Sequence, residues 1–281
     1  MRVRNGRLGR ATPCLVACLV PIMAAVGAAP AHAAVVRNGP ARGLSSTVGV
    51  TPNSTWAGYV AQSGQNSEFG AAGEWRVPTI TCTSANSRVE DWVGTDGYND
   101  STVEQVGTTA ACVNGKPTYS AWWEMFPYVP VSLGSVHAGD YVEGEINVVQ
   151  CPAHCGQHWL ALDVGPLVGA GNPEVSFGQF ENSPPGYTPL NRSGECISET
   201  QPGIRVANFG TVTFTYCTMF ADSNYSRFLD VTQPPSGWAV YRLNLERGVL
   251  ILRHTDVATG APYTTPRSDP FHAFDMTFKH S

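Results

Sequence analysis

Gly210-Thr-Val-Thr-Phe-Thr-Tyr216 alternates apolar and hydroxyl side chains with a period of two. In an extended chain Val212, Phe214 and Tyr216 share one face and Thr211, Thr213 and Thr215 the other, so one face is buried and one is wet. On either side of it lie further stretches with strand character, at 55–62, 88–94, 102–107, 118–126, 141–149, 159–164 and 248–254. Turn signals separate them and no helical periodicity is sustained. Composition agrees, with 29 Gly, 21 Pro and only 14% charged residues, well under the usual quarter. The expected architecture is all-β: a β-sandwich of two antiparallel sheets, in one domain over 54–281 with a short loose lead at 34–53.

The first 33 residues read as a signal peptide. Arg2, Arg4, Arg7 and Arg10 precede an apolar run from Cys14 to Val26, and Ala31-His32-Ala33 places small residues at the cleavage spacing. The run is too short to span a bilayer, and no later stretch of about 18 apolar residues exists. A secreted monomer with no membrane partner is expected, and the Arg- and Ala-rich signal suits a high-GC bacterium. Cleavage leaves 13 Lys and Arg against 22 Asp and Glu, a net charge of −9, which argues against a nucleic-acid partner. Six cysteines remain, an even number that suggests disulfides in an oxidising compartment. The expected pairs join neighbours in a meander: Cys82 with Cys112, Cys151 with Cys155, and Cys196 with Cys217.

Tyr119-Ser-Ala-Trp-Trp-Glu-Met-Phe126 has two unlike faces. Tyr119, Ala121, Trp123 and Met125 are apolar, whereas Ser120, Trp122, Glu124 and Phe126 mix a carboxyl and a hydroxyl with rings. That mixture suits the wall of a groove that both stacks and hydrogen-bonds a substrate; an ordinary sheet face with surface aromatics is the plainer alternative. Common catalytic motifs are missing: no Gly-x-Ser-x-Gly elbow, no His-Glu-x-x-His, no phosphate loop and no Asp-Thr-Gly or Asp-Ser-Gly. Cys151-Pro-Ala-His154-Cys155-Gly-Gln-His158 fits no standard zinc spacing and is expected to be a small disulfide loop. His137, His254, His272 and His280 show no partner pattern. Sequons stand at Asn53, Asn99, Asn191 and Asn224. Neither a metal nor a cofactor is expected. Carboxylate chemistry, or binding alone, remains.

Six segments taken in order resemble the glutamic peptidases, the eqolisin family: Ser54-Thr-Trp-Ala-Gly-Tyr59, Glu74-Trp-Arg-Val-Pro78, Trp92-Val-Gly-Thr-Asp-Gly97, Glu104-Gln-Val-Gly107, the 119–127 stretch and Phe209-Gly-Thr-Val-Thr-Phe214. The resemblance implies a secreted, acid-active endopeptidase that takes polypeptide substrates on a two-sheet, lectin-like sandwich. The family's catalytic Gln falls on Gln105. Its catalytic Glu falls on Glu199, at the end of Gly194-Glu-Cys-Ile-Ser-Glu199, with Glu195 as the alternative. The groove-lining positions would be Trp56, Trp92, Asp96, Trp122 and Glu124.

Those residue types suit peptide hydrolysis. One Glu can take a proton from water and return it to the leaving nitrogen, while a Gln amide offers an N–H for the oxyanion and a carbonyl for the water. The amide does not titrate, so it still functions in acid. Two other readings are a binding sandwich that stacks sugars or peptides without cleaving them, and a glycoside hydrolase using Glu124 and Glu199. The secreted chain keeps 13 Lys and Arg and six His, and their self-repulsion sets the expected working range in moderate rather than extreme acid. Thr108-Thr109 stands where the family often has an acidic residue, and the lead is shorter than the family's usual propeptide.

Overall fold

The computed structural model describes residues 50–63, 70–148, 157–166, 173–220, 228–230, 238–245, 249–255 and 273–279. They form β1 (Val50–Asn53), β2 (Trp56–Gln62), β3 (Gly70–Arg76), β4 (Asn86–Asp96), β5 (Val103–Val113), β6 (Lys116–Phe126), β7 (Val131–Ser135), β8 (Tyr141–Val148) and β9 (Gln157–Gly165). The rest are β10 (Val175–Asn182), β11 (Ser193–Glu199), β12 (Arg205–Val206), β13 (Thr211–Phe220), β14 (Phe228–Asp230), β15 (Ala239–Leu245), β16 (Val249–Thr255) and β17 (Ala273–Phe278). No helix occurs among the described residues. The signal peptide, the lead up to residue 49, the Cys151–Cys155 pairing and the Asn224 sequon lie outside them.

One sheet runs β7–β6–β5–β4–β11–β2–β15–β1, antiparallel except for the last pair. The other runs β10–β9–β8–β3–β13–β14, all antiparallel. This is the expected two-sheet sandwich. Strand β13 belongs to both layers: Thr211–Phe214 pair with β17, and from Thr215 onward the partner is β3. The register slips between Thr215 and Thr218, where Tyr216 takes a φ of 52°. Val212 and Phe214 are therefore buried as the alternation predicts, but Tyr216 is only half-buried, because the bulge ends the two-residue repeat before it.

Several strands are absent from the sequence reading. Residues Val50–Asn53, expected to be a loose lead, pair in parallel with β15. Strand β3 is Gly-Ala-Ala-Gly-Glu-Trp-Arg, too rich in small residues to announce itself. Strand β11 is buried along its whole length, so it has no wet face and no alternation.

Between the sheets lies the main core, in which Trp75 stacks on Phe214 at 5.2 Å and Phe214 on Phe274 at 5.4 Å. Each buried ring contributes about 1.5–3 kcal/mol by leaving water. Disulfides Cys82–Cys112 and Cys196–Cys217 form as expected, the second tying β11 of the first sheet to β13. A second cluster of Trp56, Val60, Trp92, Tyr98, Val103, Trp122, Ile197 and Leu243 covers the other face of the first sheet.

Candidate active site

Strand register builds the site on that other face. Gln105 is opposite Glu124 across β5 and β6, and opposite Gly94 across β5 and β4. Gly94 is in turn opposite Glu195 across β4 and β11. Glu195, Gly94, Gln105 and Glu124 thus form one lateral row, and strand spacing puts Glu195 and Gln105 about 10 Å apart at Cα. Glu195 and Glu124 are 0% and Gln105 1% exposed. The Gln105 amide donates from Nε2 to Glu124 Oε2 at 2.6 Å, which fixes the amide orientation and turns Oε1 away from Glu124.

Three tryptophans surround the row. Trp56 meets Trp92 edge-to-face at 5.0 Å. The Trp92 indole donates to Glu199 Oε2 at 3.1 Å, and its far ring edge reaches over Gly94, 3.0 Å from where a Cβ would stand. Trp122 donates to Thr109 Oγ1 at 2.9 Å. A Cβ on Gly107 would come within 2.6 Å of Trp92 and 2.9 Å of Trp122, so this glycine lets both rings lie against the sheet. A Cβ on Gly94 would fall 2.7 Å from the Glu104 carbonyl oxygen and 3.1 Å from Gln105 Cβ. Because the first of those atoms is backbone, Gly94→Ala must push β4 from β5. The expected cost is about 1–3 kcal/mol in thermal unfolding, together with a loss of activity, because the row itself is displaced.

Two of the expected residues lie away from the Gln105 row. Glu199 pairs with Glu90, and Glu90 with Thr109, so Glu199 lies four residues along the strands from the Gln105 row. The two Cα atoms are roughly 16 Å apart by strand spacing, and the Glu199 carboxylate is engaged by Trp92. The alternative, Glu195, occupies the place beside Gln105. Asp96 does not line the face either. It is buried and accepts the backbone N–H groups of Leu190 (2.6 Å), Asn191 (2.8 Å) and Arg192 (2.8 Å), so it anchors the turn that leads into β11. Glu124 and Glu199 are roughly 19 Å apart by the same spacing, too far to flank one glycosidic bond. Glu90, passed over in the sequence, shares the face of Trp92 by simple parity and accepts from Thr109 Oγ1 at 3.3 Å.

Burial dominates the electrostatics. It pushes the Glu124 carboxyl up to about 8, helped by the charge of Glu90 and opposed by the Gln105 amide. Burial also raises Glu90, against the pull of Arg88. Behind the sheet, Glu104 accepts from Tyr187 Oη at 2.5 Å and Thr95 Oγ1 at 2.8 Å, yet burial and the nearby Asp96 hold it well above the usual carboxylate range. In acid, Glu124 is therefore a neutral neighbour to the Gln105 amide.

Residues 54–152 match the model of the Peptidase A4 family. Among solved structures, scytalido-glutamic peptidase with a peptide-based transition-state analogue superposes with a TM-score of 0.54 at 18% identity, covering 80% of this chain and 98% of that one. SCP-B, a member of the eqolisin family of peptidases in complex with the tripeptide Ala-Ile-His, superposes at 0.52 with 15% identity and the same coverage. At these identities the likeness is one of fold. No curated protein matches the sequence.

Proposed function

We propose, from the match of residues 54–152 to the Peptidase A4 family model, that the protein is an exported glutamic endopeptidase that hydrolyses polypeptides in acid through Gln105 and Glu195. The observation that carries this reading is the lateral row, in which a glutamate and a glutamine share one face with only a glycine between them.

Glu195, as carboxylate, takes a proton from a water held between it and Gln105 Oε1. The resulting hydroxide attacks the scissile carbonyl. The Gln105 N–H that does not bond Glu124 donates to the oxyanion, and Glu195 then returns its proton to the leaving nitrogen. A neutral Glu124 orients the amide without placing a second negative charge beside the oxyanion, which acidic solution secures. Trp56, Trp92 and Trp122 supply the apolar surroundings that strengthen these polar contacts.

The test is casein hydrolysis by the secreted protein between pH 2 and 7, with EDTA and pepstatin added in parallel. Acid proteolysis that resists both agents is expected. A folded protein that cleaves nothing would overturn the reading in favour of a binding sandwich, for which peptide and glycan arrays are the next assay.

A further inference from the structure

His137, which showed no partner pattern in the sequence, has two carboxylates beside it. Its Nδ1 lies 2.7 Å from Glu174 Oε2 and 3.7 Å from Asp140 Oδ2, and one ligating atom from each residue lies within 4.8 Å of the others. The segments that carry them are fixed by hydrogen bonds to the backbone. Val77 N–H donates to Asp140 O at 2.8 Å and Gly139 N–H to Val77 O at 2.7 Å, while Arg76 Nη1 donates to Gly139 O at 3.0 Å. On the other segment, Glu174 N–H donates to Val164 O at 2.7 Å. Within the turn, Asp140 Oδ2 accepts the backbone N–H of His137 at 2.6 Å.

The donor set has a definite chemistry. One imidazole nitrogen and two carboxylate oxygens suit a borderline divalent ion, whereas calcium and magnesium prefer oxygen alone. Two donors each about 2.1 Å from a tetrahedral zinc are themselves about 3.4 Å apart, between the two separations measured here. The Asp140 side chain is 7% exposed, but those of His137 and Glu174 are 73% and 36% exposed, so the remaining coordination position opens to water. The two carboxylates supply the charge that balances a divalent cation.

We propose that His137, Asp140 and Glu174 form a zinc-type metal site that staples the β7–β8 turn to the start of β10. The site lies apart from the Gln105 row, so the peptidase reading stands or falls separately.

Isothermal titration of the EDTA-stripped secreted chain with zinc chloride at pH 7.5 tests it, beside His137→Ala, Glu174→Gln and His154→Ala. One zinc per chain is expected, with affinity at least tenfold weaker in His137→Ala and in Glu174→Gln and unchanged in His154→Ala. Zinc should also raise the melting temperature of the wild type and leave that of His137→Ala unmoved. Because His137 is exposed, the metal-free variant should melt with the wild type, and Glu174→Gln gives an independent reading. Absence of binding to the wild type, equal binding in both site variants, or loss confined to His154→Ala would overturn the proposal.

Discussion

In the proposed mechanism, Glu195→Gln removes acid proteolysis, with a fall in kcat on the order of 10³-fold or more, because both proton transfers would depend on that one carboxylate. Gln105→Ala lowers kcat by about 10²–10³, the usual effect of losing an oxyanion donor. Glu199→Gln behaves differently. Its carboxylate receives the Trp92 indole N–H and faces Glu90, four residues along from the row, and an amide oxygen can accept the same bond. The expected loss is within about tenfold, below what removal of a general acid–base produces. Steady-state casein cleavage at the pH optimum, on variants whose melting curves match the wild type, decides between the two glutamates. If Glu199→Gln is the inactive variant and Glu195→Gln the active one, the base sits at Glu199 and the lateral row is structural.

The second large effect is on stability. The protein is expected to melt highest near pH 4 and to lose on the order of 10 °C between pH 5 and 7.5. Burial raises Asp91 and Asp100 to about 7 and Glu124 to about 8, and it also raises Glu90, Asp96 and Glu104. Below about pH 4 these groups are protonated in both folded and unfolded chains, so they cost nothing. As the pH rises from there the unfolded chain releases its protons while the folded one keeps them, and stability falls by about 1.4 kcal/mol per pH unit for each net proton retained. The loss ends once the folded groups ionise, near pH 7 to 8 for those three. His158 works in the opposite sense. Burial lowers it to about 4, so it favours the folded state as the pH rises toward its ordinary value near 6.5, but it is one group against several. Below pH 3 the repulsion among basic residues takes over. Differential scanning calorimetry from pH 2 to 8 checks the curve; a melting temperature that rises from pH 5 to 7.5 would contradict the buried-acid argument.

Much of the candidate row was legible in the sequence because its residues fall into short contiguous patches. Trp92 and Gly94 are two apart on one strand, as are Trp122 and Glu124, and parity alone assigns each pair to one face. Gln105 shares that face with Gly107 for the same reason. What parity does not decide is which of two residues four apart on one strand meets a given neighbour. Glu195 and Glu199 point the same way, so their difference lies entirely in the register of β11 against β4. Asp96 lies away from the row for a related reason. It ends β4 with a φ of 65°, which takes it out of the alternation and turns its carboxylate to the backbone of a turn about 95 residues later.

The sequence by itself determined the layer type and two of the disulfides, because alternation and cysteine neighbours are local properties of the chain. Only the tertiary structure decided which glutamate stands beside Gln105, where β13 passes from one sheet to the other, and that His137 meets Glu174. Each of these rests on contacts between segments distant in the chain, where register and bulges are fixed by packing and pairing across the sheets rather than by any local preference.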